Sequence, residues 1–214
     1  MNRTNRLIVA AVFGLVLLAA CGSSKSSTAG KPPAGTAGKP SMSTTAKPTA
    51  PTANPNAKEQ LPPGDIPDNQ VYVTYTPAAG GYSLSYPEGW SKRETPNAVT
   101  FAQYFNSIEL VTTPATRAPT IASAQSLASS TLSSLAGYHL LKIDSGTRPA
   151  GPAVHIVYDA TSPIDPVTGR TVTLEVERYL FWHKGTLLTI VLSSAKGSDN
   201  VDPWKTVTNS LVWK

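Results

Sequence analysis

From Gly22 to Pro67 the chain offers almost nothing to bury. Ala, Pro, Thr, Ser, Gly and Lys make up nearly all of it, and Met42, Leu61 and Ile66 are its only large apolar residues. A segment of this kind cannot offset its own ordering entropy and is expected to be disordered. Its nine prolines bias it toward extended conformations. Fully extended it would reach about 140–160 Å, and as a flexible coil it would average about 35–40 Å. Any hydrophobic core is therefore confined to residues 68–214, enough chain for one domain and too little for two.

What precedes this tract gives it a purpose. Arg3 and Arg6 are followed by fourteen residues, Leu7 to Ala20, without a polar side chain. A basic start, a short apolar stretch and small residues at the cut describe a secretory signal peptide. Spanning a bilayer takes about 20 apolar residues, which this stretch lacks. The only cysteine, Cys21, closes the string Leu18-Ala19-Ala20-Cys21, which reads as a bacterial lipobox. The expectation is a signal peptide over 1–20, lipidation of Cys21, a tether over 21–67 and a globular domain over 68–214. The lipid would hold the protein to the cell membrane on its extracytoplasmic face, with the bilayer as its first partner. An acylated Cys21 also leaves the domain without thiol chemistry, so disulfides, a cysteine nucleophile and cysteine-bound metals are excluded.

The formal charge of +5 does not point to nucleic acid. Arg3 and Arg6 lie in the signal peptide. Residues 22–67 hold five lysines against Glu59 and Asp65, a net of +3, and residues 68–214 hold eleven basic and eleven acidic side chains. A nucleic-acid binder needs a basic stripe on its folded surface, and no basic run follows Lys92-Arg93.

Within the domain, Val71–Tyr75 and Tyr82–Tyr86 read as strands, with Pro87-Glu88-Gly89 suiting a turn and Trp90 a core anchor. Val99–Tyr104 and Ser107–Thr112 read as strands joined at Asn106. Then the period changes. Ile121, Ala124, Leu127, Ala128, Thr131, Leu132 and Leu135 recur at helical spacing, with Thr120 to cap the helix and Gly137 to stop it. Four strands follow, at Tyr138–Asp144, Ala153–Ala160, Thr171–Phe181 and Thr186–Ser194, the last two joined by a tight turn at Gly185. A final helix is expected with Asp202 at the cap, Pro203 at the first position, and Trp204, Val207 and Leu211 on one face. Strands, helix, strands and helix in that order make an α+β domain, an antiparallel β-sheet flanked by helices.

Catalytic spacing does not appear in these elements. His155 and Asp159 share a strand face but lie about 13 Å apart along it, and His139, His155 and His183 form no metal-ligand pattern. Ser83 lacks the glycine that a nucleophile elbow places two residues on. Glu175 and Glu177 lie about 7 Å apart on one strand face, a spacing that overlaps paired glycosidase carboxylates. Acids screened by Arg178 on a solvated strand account for them better. The sequence thus supplies no catalytic residue, no metal site and no cofactor motif, and the expectation is a protein that is not an enzyme.

The string Gly81-Tyr82-Ser83-Leu84-Ser85-Tyr86-Pro87-Glu88-Gly89-Trp90 resembles the opening of PsbP-like and Mog-like domains. The ending Asp202-Pro203-Trp204-Lys205-Thr206-Val207-Thr208-Asn209-Ser210-Leu211-Val212-Trp213 is similar to that family's closing helix and last strand. The lipobox and polar tether resemble its actinobacterial lipoprotein branch, the LpqN-like proteins. The resemblance spans roughly residues 70–214 and implies an α/β/α sandwich. PsbP proteins support the oxygen-evolving photosystem and Mog proteins bind the GTPase Ran, so it also implies a non-catalytic role on a larger partner. No family binding residue maps onto this chain. Two functions compete from here. One is an interaction module for another envelope protein. The other is a module that takes a lipid, glycan or wall fragment, for which Tyr72, Tyr75, Tyr82, Tyr86, Tyr104, Phe105 and Tyr179 offer aromatic faces. A hydrolase stands behind both.

Overall fold

The structure, a computed structural model, describes residues 64–166 and 168–214. The signal peptide, Leu18, Ala19, Ala20, Cys21 and the tract up to Pro63 lie outside the described residues. Two sheets organise the domain. The larger has seven antiparallel strands in the order β3 (Ser91–Thr95), β4 (Ala98–Gln103), β5 (Asn106–Pro114), β9 (Thr186–Ala195), β8 (Thr173–His183), β7 (Gly151–Thr161) and β6 (His139–Arg148). The smaller places β2 (Tyr82–Pro87) between β1 (Tyr72–Tyr75) and β10 (Val212–Trp213). Helix α1 (Ile121–Ser130) precedes β6, and α2 (Val201–Asn209) lies between β9 and β10. The α+β class expected from the sequence is the one observed.

Each face of the large sheet has its own cover. Alternation along β7 sends Ala153 and His155 to one side and Val154, Ile156 and Tyr158 to the other. On the second side Val154, Ile156, Tyr158, Val176 and Leu180 pack under Ala124 and Leu132. On the first side Phe101, Leu110, Leu188 and Ile190 pack against Tyr82 and Leu84 of β2 and Trp204 and Val207 of α2. Trp90 is buried and meets Trp204 edge-on at 6.4 Å, which is the anchoring role its sequence position predicts.

Several boundaries move, each for a physical reason. Helix α1 has the expected Thr120 cap, whose hydroxyl accepts from the Ser123 N–H. It stops at Ser130 and continues only as a 3₁₀ turn, Leu132–Ser134. The hydroxyls of Ser126, Ser129, Ser130 and Ser133 donate to carbonyls three or four residues back, which weakens the helical ladder there. Helix α2 is capped at Asn200, not Asp202, and Pro203 is its third residue. The first four N–H groups of a helix have no partner inside it, so proline is tolerated that far in. Asn200 uses its side chain elsewhere: the amide accepts from the Ile66 N–H at 2.8 Å and donates to the Gly64 carbonyl at 2.8 Å. Ile66, assigned by composition to the tether, is buried in the core, so the packed chain begins by Gly64.

The join between β4 and β5 also differs. Gln103 pairs with Asn106 across a two-residue turn, Tyr104-Phe105, and Asn106 opens β5 as a buried residue whose amide oxygen accepts from Asn200. Strand β3 is a further element that the sequence reading leaves out. All five of its residues are exposed, as suits a charged edge strand.

Candidate functional site

The second-sheet and α2 cover does not reach the far end of the first side. There β6, β7 and β8 carry an ionic network in register. Asp144 of β6 pairs with His155 of β7, and His155 with Tyr179 of β8. His155 Nδ1 stands 3.2 Å from Asp144 Oδ1, and Nε2 stands 3.0 Å from Glu177 Oε2. The His155 ring stacks on Tyr179 with centroids 4.2 Å apart. Tyr179 donates its hydroxyl to Glu177 at 2.7 Å and accepts from Arg148 Nη2 at 2.9 Å. At the outer end Lys142 reaches Asp144 at 2.6 Å.

The electrostatics follow from this wiring. Burial alone would push the Glu177 carboxyl up, but hydrogen bonds from His155 and Tyr179 and the charges of His155 and Arg148 hold it below its ordinary value. Asp144 is also held below its usual range, chiefly by the hydrogen bond from Lys142. The Tyr179 phenol moves the other way, pushed up by burial and then by the Glu177 charge beside it. With both carboxylates ionised they only accept, and the His155 ring stands between them with one nitrogen facing each.

A cavity of about 300 Å³ opens beside the network, lined by Lys142, Asp144, Gly146, Arg148, Ala153 and His155 among others. It exists because Gly146 and Ala153, cross-strand partners, carry little or no side chain. A Cβ on Gly146 would meet nothing within 4 Å.

A second feature lies at the β4–β5 turn. Tyr104 is 93% exposed with φ +52°, while Phe105 has an ordinary φ, so the positive angle falls at the turn's first position, where such turns favour glycine. Near it Ile164 is 70% exposed, and the two border a mainly apolar hollow of about 280 Å³ with Phe105, Pro163 and Pro166.

The structure redistributes the residues singled out in the sequence. His155 is the only one of the three histidines in the network. His139 stands 3.7 Å from Asp159, and His183 stacks on Trp213. Asp159 itself is held by Lys196 at 2.5 Å. Glu177 is not a solvated acid screened by Arg178. It is bonded to His155 and Tyr179, and Arg178 pairs with Ile156 on the opposite side of the sheet. Of the aromatic candidates, Tyr75 and Tyr82 are core residues and Tyr86 stacks on Phe101. Tyr72 is half-buried against the same core. Arg148 was missed by sequence reasoning, because nothing local shows that a side chain at the end of β6 reaches across β7 to Tyr179 of β8.

An antiparallel sheet with helices on its two sides defines the class, a PsbP/Mog-like α+β fold. The solution structure of cyanobacterial PsbP from Synechocystis sp. PCC 6803 is similar over 71% of this chain and 98% of its own, with 14% identity and a TM-score of 0.50. The Ran-binding protein Mog1p of Saccharomyces cerevisiae matches over 67% of this chain and 96% of its own, at 10% identity and a TM-score of 0.46. LpqN of Mycobacterium tuberculosis, a protein involved in cell envelope biogenesis, matches over 69% and 92%, at 12% identity and a TM-score of 0.43. No known family pattern matches the sequence, and no curated protein is detectably related to it. At 14% identity the PsbP likeness speaks for the fold alone.

Proposed function

We propose that this chain is a bacterial, actinobacterial-type lipoprotein, held to the extracytoplasmic face of the cell membrane by acylated Cys21. Its domain acts as a non-enzymatic interaction module for another envelope protein. Support for the anchor comes from Leu18-Ala19-Ala20-Cys21 and the apolar stretch before it. Stable anchoring takes two or more acyl chains, since one gives only marginal binding.

The observation that carries the interaction reading is Tyr104. A large aromatic side chain is held in solvent on a backbone angle that costs about 1–2 kcal/mol in an L-residue. Glycine or asparagine would relieve that cost and remove the ring. Strain of this kind concentrates where a segment makes contact with something else, and Ile164 and Phe105 extend the same apolar surface.

The test places a photo-crosslinking residue at Ile164 in the full chain expressed in cells, with one at the exposed Lys92 of edge strand β3, which does not line the hollow, as control. A discrete protein adduct is expected from position 164, absent in the Tyr104→Gly background. Adducts at 164 indistinguishable from those at 92 would refute the interaction surface. Cys21→Ala should lose its acyl label and keep its signal peptide, and an acyl label retained in that variant would refute the anchor.

A further inference from the structure

We propose that the cavity beside Arg148 is a binding site for a small oxyanion, the carboxylate or phosphate group of a soluble metabolite or wall-derived fragment. The inference is independent of the interaction surface at Tyr104, which lies at a different strand end.

Charge is the first argument. Lys142 and Arg148 are the permanent cations of the cluster, and Asp144 and Glu177 are its carboxylates. Both carboxylates are already engaged, Asp144 with Lys142 and His155, Glu177 with His155 and Tyr179. Arg148 differs. Its described hydrogen bond is to a phenol, at 2.9 Å, and its guanidinium lies over the Tyr179 ring at 5.3 Å. A guanidinium has five N–H donors in a planar fork that matches a carboxylate or phosphate edge. Stacking on Tyr179 and the hydrogen bond to its hydroxyl fix the plane of that fork in advance, which lowers the ordering cost of binding.

Space is the second argument. Gly146 sits inside a ten-residue strand with a φ outside the left-handed region, so its backbone does not require glycine. Glycine inside a strand weakens it and marks a place where another group approaches closely. Here its missing side chain is what keeps the cavity open in front of Arg148 and His155.

The two arguments give two variants with separate logic. Gly146→Leu fills the cavity from a position where a Cβ meets no clash, and leaves every charged group in place. Arg148→Met removes the fork and keeps the volume. The ¹⁵N-labelled full chain in detergent micelles is titrated with sodium acetate and, separately, with inorganic phosphate at constant ionic strength. Saturable amide shifts confined to residues 144–148, 153–155 and 177–179 are expected, and each variant should weaken the apparent affinity at least tenfold. The preferred probe identifies the oxyanion as carboxylate or phosphate. Spectral dispersion reports in the same experiment that each variant is folded. Shifts that do not saturate, that scatter over the surface lysines, or that persist unchanged in Gly146→Leu would overturn the site.

Discussion

Phe101 on β4 and His155 on β7 point to the same side of the same sheet, yet they sit in opposite environments. Phe101 is fully buried, with Tyr86 stacked on it at 3.8 Å and Tyr75 edge-on at 5.3 Å. His155 lies in a plane of hydrogen-bonded charges at the rim of a cavity. The difference is a matter of cover. The small sheet and α2 span the half of the face that contains β4, β5 and β9, and apolar residues fill the space beneath them. Among the described residues no such layer lies over β6 and the part of β7 that carries His155, and the residues that face outward there hold one another by charge. Packing stabilises the first half. Hydrogen bonding organises the second and leaves one cationic fork beside open space.

Truncating the covered half should have the largest effect. Phe101→Ala removes a wholly buried ring and its two aromatic contacts, and is expected to cost about 3–5 kcal/mol. Urea unfolding of the purified protein measures it. A loss below about 2 kcal/mol would mean that Tyr75 and Tyr86 collapse into the gap, and that the covered half is more plastic than its packing implies. The penalty should change little between pH 7 and pH 4, because the lost contacts are apolar and the one carboxylate nearby, Glu94, meets the Tyr75 hydroxyl and not the Phe101 ring.

The open half should behave differently with pH. Glu177→Gln weakens the hydrogen bonds to His155 and Tyr179 and is expected to cost about 1–3 kcal/mol at pH 7. The folded protein holds the Glu177 carboxyl below its ordinary value of 4.5. Its contribution is therefore fully present above that value and is lost as pH falls through the lower folded one. Wild type and Glu177→Gln should converge in stability as the pH is taken from 7 down to 3, while the Phe101→Ala gap persists. Parallel curves for the two substitutions would erase the distinction between the halves.

This contrast was only partly legible in the sequence. Alternation in Tyr82-Ser83-Leu84-Ser85-Tyr86 and the Trp204, Val207, Leu211 stripe disclose the covered half, because burial writes a period into local sequence. The tight turn at Gly185 was equally readable, since Lys184 and Gly185 both take positive φ and such turns demand it. Strand β3 was not, because its sequence, Ser-Lys-Arg-Glu-Thr, has no buried member to set a period. Nor was the network. Asp144, His155 and Glu177 each sit on a different strand, and which residues meet depends on the registers of β6 with β7 and β7 with β8. A bulge between Leu140 and Lys142 shifts one of those registers, and single-strand periodicity cannot reveal it.

The smallest effect is expected at the network's exposed arm, and it tests whether the open half is one unit or two. Lys142 and Asp144 form an ion pair at 2.6 Å, but their side chains are 59% and 39% exposed. Exposed pairs contribute about 0–1 kcal/mol, since water and salt screen them. Lys142→Met should therefore cost no more than about 0.5 kcal/mol, a cost that disappears at high salt. The titration of Asp144 gives a finer reading. Its carboxyl is held down first by Lys142 and then by His155. In Lys142→Met the Asp144 carboxyl should titrate at higher pH than in wild type yet still below an ordinary aspartate, because the His155 contact remains. Carbon-detected NMR of the side-chain carboxyl follows this directly. Full return to the ordinary value would show that Asp144 answers to Lys142 alone. The buried core of the network would then be only His155, Glu177, Tyr179 and Arg148. A retained depression would show that Asp144 belongs to that core, and that charge is shared across all three strands.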